Sequence, residues 1–275
     1  MRPMRARSIL FDVFGAFVRD LGNWIAVADL VALMASLDVD EQAVRSSVSR
    51  FSRKGLLERV ERDGRVGYVL SDAALAILAE GDLRIYDRLA PASGDDGWVL
   101  ATFSIPEEFR AERHQLRTRL TWLGFGNHSA GLWIAPRRAL DRAVEMVDDL
   151  GLSAYVDLFE AKFVAFGEPA ELVRRCWDLD ALRTAYTEFV AEYTPMLRAW
   201  RRRKLERRGE AAFADYMTAL HQWRKLPYLD PGLPPELLPD AWEGTAATDL
   251  FSELRELLEP AAAAHVREVT ARQAA

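Results

Sequence analysis

Cysteine is almost absent: Cys176 is the single one in 275 residues. One thiol closes no internal disulfide and builds no cysteine-rich zinc site, so folding on packing alone in a reduced cytosol is expected. Histidine is nearly as scarce. His114, His128, His221 and His265 lie far apart, with no His-x-x-x-His pair for a metal. No Gly-x-Ser-x-Gly elbow and no glycine-rich phosphate loop occurs, so neither a metal nor a cofactor is expected. No apolar run approaches the roughly 18 residues of a membrane span. The basic opening Met1–Arg7 leads into an apolar segment broken at Asp12 and Arg19, which argues against a secretory signal. Excess positive charge is missing too: 42 acidic against 36 basic residues give a formal charge of −6. Contact with nucleic acid therefore requires a local basic patch.

What is present is core-forming material. Half the residues are hydrophobic and 10% are aromatic, including 8 Trp, which excludes long disorder. The length predicts two or three domains, and three blocks emerge. The first, residues 1–90, opens with an apolar segment from Ile9 to Val18, closed by Gly22. Val27–Leu37 follows with Leu30, Leu33, Met34 and Leu37 at helical spacing. Asp40 is placed to cap a third helix, Glu41–Lys54, which Gly55 ends. Two strand-like runs, Leu57–Val60 and Val66–Leu70, flank an Asp63-Gly64 turn signal, and Ser71-Asp72 then starts a helix over Ala73–Glu80. Three helices followed by a β-hairpin is the order of a winged helix-turn-helix.

Pro91–Gly97 reads as a linker. The second block, 97–168, predicts a strand at Trp98–Ile105 and a helix from Pro106 to about Leu123. Short strands around Phe125 and at Gly131–Ala135, a helix over Arg137–Leu150 and a strand over Ala154–Phe163 follow. That β-α-β-β-α-β order is ferredoxin-like. The third block, 169–275, is helical. One stripe runs Leu182, Tyr186, Phe189, Val190, Tyr193, Leu197, and another Phe213, Tyr216, Met217, Leu220, Trp223. After a proline-rich connector, Pro227–Pro239, two helices are expected near Thr248–Leu258 and Ala261–Gln273. The whole is an α+β protein with a winged helix-turn-helix, a ferredoxin-like middle and a helical C-terminal domain.

On the third helix Val44, Val48 and Phe51 fall on one side, while Gln42, Ser46, Ser49, Arg50 and Arg53 fall opposite, with Arg45 at the edge. Gln42 through Leu57 carries Arg45, Arg50, Arg53 and Lys54 and no acid. A major-groove helix needs these groups: arginine reads guanine bidentately, glutamine reads adenine, and serine meets phosphate or a base edge. Arg62 and Arg65 near the hairpin tip suit phosphates or a minor groove.

The chain resembles the PaaX-like family of bacterial transcriptional repressors, named for control of phenylacetic acid catabolism, over nearly all its length. Ser8–Gly15 and Glu41–Arg50 are similar to the family's first helix and recognition helix. Gly124-Phe125-Gly126 and Gly131–Pro136 are similar to its central domain. Leu220–Lys225 and Leu229–Pro239 are similar to its C-terminal signature, and that last run is long and specific. The resemblance implies a homodimeric repressor of a catabolic operon. It also implies release from a double-stranded operator by an acyl-CoA thioester, phenylacetyl-CoA in the founding members. A departure stands at Gln222-Trp223-Arg224-Lys225, where a Glu-Tyr-Arg-Arg-like stretch is expected, so the family likeness does not fix the acyl group.

Coenzyme A carries phosphates that Arg and Lys would hold. The basic run Arg198–Arg208, with Arg201, Arg202 and Lys204, is therefore a candidate effector contact, beside a solvated helix face or auxiliary DNA contact. His221, Trp223, Arg224 and Lys225 are candidates for the acyl end, unless they are core. The alternative function is a nucleic-acid-processing enzyme using the middle domain. Its nearest acids, Glu107 and Glu108, sit at a helix start where they suit the helix dipole, and the preceding strand carries no acid. The expectation is a non-enzyme.

Overall fold

A computed structural model describes residues 6–86, 96–164, 166–202 and 209–272. The fold is α+β. By compactness the chain forms two units: Met1–Asp87 with Phe189–Arg224 and Ala246–Ala275, and Arg88–Glu188 with Lys225–Thr245. The helical stretch 169–275 is thus shared between the two units.

In the first unit α1 (Ala6–Val13) runs into a π-helical turn, Phe14–Val18, and a 3-10 turn, Arg19–Leu21, that ends on left-handed Gly22. A short strand β1 (Trp24–Ala26), unforeseen in the sequence, precedes α2 (Val27–Ala35) and α3 (Glu41–Arg53). Strands β2 (Leu57–Arg62) and β3 (Arg65–Leu70) follow, then α4 (Asp72–Ile85). The hairpin is tighter than expected. Arg62 pairs directly with Arg65, leaving a two-residue loop of Asp63 (φ 50°) and Gly64 (φ 72°). Positive φ at both positions is the type I′ turn, whose twist matches the strands. The sheet order is β1-β3-β2, all antiparallel. A Cβ on Gly67 would lie 2.5 Å from the Ile25 carbonyl, so the bare backbone of Gly67 lets β1 approach β3.

The second unit begins with β4 (Trp98–Phe103), followed by α5 (Arg110–Trp122), β5 (Gly126–Ser129) and β6 (Leu132–Pro136). Next come α6 (Leu140–Asp149) and β7 (Val156–Ala161). The sheet order is β5-β6-β4-β7, and every neighbour is antiparallel. Odd-numbered β4 residues, Val99 and Ala101, are buried with Leu116, Leu120, Ala143 and Val147 of α5 and α6. The even-numbered face is covered as well, Trp98 packing with Ile134, Leu172 and Val173, so the period-2 alternation of β4 divides its side chains between two buried clusters.

The remaining helices are α7 (Pro169–Cys176), α8 (Leu179–Arg201), α9 (Gly209–Trp223), α10 (Leu226–Leu229) and α11 (Glu243–Arg272). One helix replaces the two expected at the C-terminal end. Pro260 lies on its exposed side, and the buried positions Leu254, Leu258, Ala262 and Val266 run past it unbroken. The residue four before it, Glu256, whose carbonyl loses its helical N–H partner, is exposed too, so the proline is tolerated.

Two clusters account for most of the family-like runs. In the second unit Gly124 (φ 89°) lies against the Pro231 backbone, and its carbonyl accepts the Trp177 indole N–H at 3.1 Å. A Cβ on Gly126 would come within 2.6 Å of the Trp177 ring. Asp230 accepts from the Gly232 N–H at 2.7 Å and from the Tyr186 hydroxyl at 2.7 Å. In the first unit α1 packs between α3 and α9, with Phe11 against Phe51 at 5.4 Å and Phe17 against Phe213 at 5.7 Å. Buried aromatic pairs of this kind add about 0.5–1.5 kcal/mol each to their area burial.

Candidate nucleic-acid interface

Asp40 caps α3, its carboxylate accepting from the Ala43 N–H at 2.9 Å. Val44, Ser47, Val48 and Phe51 are buried, which fixes the helix's rotation about its axis. Gln42, Arg45, Ser49, Arg50, Arg53 and Lys54 are exposed, and Ser46 is half-buried beside them. Arg50 donates to the Ser46 hydroxyl at 2.8 Å, and Arg45 pairs with Glu41 at 2.7 Å. Both members of the latter pair are about 60% exposed (60% and 58%), so the pair is worth little and opens readily to a stronger acceptor. Among the described residues Arg53 and Lys54 have no carboxylate partner.

The hairpin divides its two expected contacts. Arg62 is exposed, its guanidinium 5.5 Å from the Trp24 ring centroid. Arg65 is turned inward instead, to Asp29 at 2.6 Å, on a carboxylate side chain only 1% exposed. A buried carboxylate holds its guanidinium partner firmly, since an unpaired charge there costs several kcal/mol. Arg65 is therefore a structural cation rather than a ready phosphate contact. Burial pushes the Asp29 carboxyl above its ordinary value, and Arg65 opposes that rise. Sequence reading passed over Arg59, exposed on β2 without a carboxylate partner among the described residues. The outward phase of β2 was the signal available.

The C-terminal candidates are mostly engaged elsewhere. His221 is 4% exposed, its Nδ1 lying 2.6 Å from Asp12 Oδ2. Arg224 Nε lies 2.7 Å from the other Asp12 oxygen, and its guanidinium also meets the Ser8 hydroxyl. Trp223 is buried, stacks on Phe251 at 4.9 Å and donates to the Ile85 carbonyl at 2.9 Å. These three join α1, α4, α9 and α11 inside the first unit, so the expected pocket lining is corrected to packing. Aromatic groups at helical spacing met their core, and the buried Asp12 carboxylate claimed the His221 ring and the Arg224 guanidinium. Arg201 pairs with Glu253 at 2.6 Å, Arg202 and Lys225 are exposed, and Lys204 lies outside the described residues.

Glu107 and Glu108 are exposed on the turn before α5, and Glu107 pairs with Arg113 at 2.5 Å. Among the described residues no group of three or more His, Cys, Asp or Glu side chains is placed to hold a metal. Also among them, no helix is long and apolar enough to cross a membrane.

Similarity to known proteins covers the whole architecture. The transcriptional repressor PaaX of Escherichia coli (strain K12) is 28% identical over 270 residues, 97% of this chain and 84% of that protein. In structure the chain is similar to the uncharacterized protein Rv0674 from Mycobacterium tuberculosis. The TM-score is 0.63 at 24% identity, covering 94% of this chain and 97% of that one, a likeness of fold. Family models match in three successive segments: the PaaX-like protein model over residues 5–74, the central Cas2-like domain over 91–173 and the C-terminal domain over 177–268. With these three covering nearly all of it in order, the chain belongs to the PaaX-like family.

Proposed function

We propose that the protein is a DNA-binding transcriptional repressor that reads its operator with α3. The observation that carries this is the split of that helix into a buried side, Val44, Ser47, Val48 and Phe51, and an exposed side presenting Gln42, Arg45, Ser49, Arg50 and Arg53. In this reading α1 to α3 with the type I′ hairpin form a winged helix-turn-helix, and Arg62 serves the wing. The order β5-β6-β4-β7 supports a ferredoxin-like middle. The protein acts as a homodimer that sets two copies of α3 on half-sites about one helical turn, or a multiple of it, apart. The parts in this reading are a DNA-binding head at 1–90, a middle domain at 97–168 and a helical domain at 169–275.

Repression of a catabolic operon ends when an acyl-CoA thioester such as phenylacetyl-CoA favours an arrangement of the dimer that no longer fits the half-site spacing. This requires different affinities of the effector for the two arrangements. Family likeness supports the effector class, whereas His221, Trp223 and Arg224 are not part of its proposed site.

Gel-shift against the DNA upstream of the protein's own gene tests the assignment. Arg50→Ala or Arg53→Ala is expected to weaken specific binding by about 1–3 kcal/mol, or roughly 5- to 150-fold. Parent-like affinity and an unchanged salt slope in both variants would refute it. Calorimetry with aromatic acyl-CoA thioesters and their free acids tests the effector. Absence of heat and of any melting shift with both classes removes the thioester from the proposal.

A further inference from the structure

We propose that α5 of the second unit carries a second DNA contact, an anchor for the phosphate backbone outside the reading helix. It rests on the DNA-binding reading above and extends it to the middle domain. Arg110, His114 and Arg117 follow one another at i, i+4 and i+7 and are all exposed. With Glu107 and Arg113 they line a shallow groove along the helix. A rise of 1.5 Å per residue spreads the three groups over about 10 Å.

The stripe is left without neutralising partners. Glu107, the carboxylate in the groove, is taken by Arg113 at 2.5 Å, and the same arginine also reaches the Ile105 carbonyl. Arg110 and His114 have no side-chain partner among the described residues, and Arg117 lies over the Phe103 ring, 5.9 Å from its centroid. Several other surface arginines carry carboxylate partners, Arg137 with Glu160, Arg183 with Glu243 and Arg201 with Glu253, whereas Arg53 and Arg59 of the first unit share the unmatched state of this stripe among the described residues. In a chain of net charge −6, the unmatched guanidiniums of Arg110 and Arg117 make a local positive field that attracts a polyanion.

The form of the groove selects the ligand. Small-molecule sites are concave, enclosed and mostly apolar. Here one helix and the turn before it supply every lining residue, and all of them are ionisable. Arg110 and Arg117, with the His114 ring between them on an open surface, fit a linear row of phosphates. Contacts of this kind position a protein on the duplex without reading its sequence.

Salt titration of binding to the upstream duplex and to an unrelated duplex of equal length tests the proposal. Removing one cation that neutralises a phosphate lowers the slope of log K against log salt by about 0.9. The pair Arg110→Gln/Arg117→Gln is expected to lower it by about 2 and to weaken both duplexes by the same factor, with the melting temperature unchanged. The charge-preserving pair Arg110→Lys/Arg117→Lys is expected to keep the parent slope, which separates charge from fold. A glutamine pair with the parent's slope and affinity overturns the α5 anchor. Loss of coenzyme A binding by that pair, with DNA binding intact, also overturns it and assigns the groove to a small anion. Arg50→Ala should instead narrow the gap between the two duplexes. If it leaves that gap intact while the glutamine pair lowers the slope, the reading helix is misassigned and the anchor stands.

Discussion

Asp12 sits 4% exposed between His221 and Arg224, and its two carboxylate oxygens are shared between them at 2.6 and 2.7 Å. A buried carboxylate is tolerated only when its lone pairs are filled, and removing it strands its partners. Asp12→Ala is expected to cost about 3–5 kcal/mol in urea denaturation, while Arg53→Ala on the surface costs under about 0.5 kcal/mol. Asp29 behaves differently. Its carboxyl is raised by burial, so the folded state binds that proton more tightly than the unfolded chain. Its contribution to stability is complete below the ordinary carboxylate range and is lost as pH rises through the raised value. Relative to Asp29→Asn, the parent should therefore gain stability as pH falls from neutrality through that window, measured as the difference between paired urea midpoints. The sequence made the exposed face of α3 legible because helical phase alone sorts Val44 and Val48 from Arg50 and Arg53. It could not reveal the partners of Arg65 and His221. Asp29 and Asp12 lie 36 and 209 residues away from them, and only tertiary packing brings those charges together.

The elements most faithful to their sequence signals are those whose boundaries are chemical. Asp40 starts α3, Ser71 caps α4 by accepting from the Ala74 N–H at 3.2 Å, and Asp63-Gly64 closes the hairpin. Signals failed where packing overrides local preference. β1 is three residues long and exists because Gly67 admits it, and α11 continues through Pro260 because the proline faces water. Gly126→Ala would place a methyl group 2.6 Å from the Trp177 ring and 2.7 Å from the Cys176 carbonyl. Backbone cannot retreat cheaply, so a loss of about 1–3 kcal/mol is expected in thermal unfolding. Gly22→Ala meets no neighbouring atom but must adopt φ 74°, so its cost is conformational strain alone, on the order of 1 kcal/mol.

At the scale of the molecule, buried tyrosines set an alkaline limit. Arg255 lies over the Tyr86 ring at 4.2 Å and pairs with Glu259 at 3.0 Å, while the Tyr216 hydroxyl donates to Glu259 at 3.2 Å. Burial pushes the Tyr86 phenol up to about 12 and raises Tyr216 well above its ordinary value. Neutral tyrosine is the form the fold prefers, so stability is full below pH 10 and falls as pH rises toward 12. Tyr86→Phe should remove on the order of 2 kcal/mol of that alkaline loss in denaturation at pH 9 and pH 12.

The first unit gathers its core from three separated stretches of chain, ending with Ala246–Ala275. During synthesis, the roughly 100 residues between Asp87 and Phe189 occupy the ribosome for on the order of 5–20 s. Until Phe213, His221 and Arg224 emerge, Phe17 lacks its aromatic partner and Asp12 lacks both of its polar partners. The N-terminal stretch of this unit is thus among the first parts made and the last completed, and a fragment ending near residue 86 would leave the translating cell with its apolar inner surface bare.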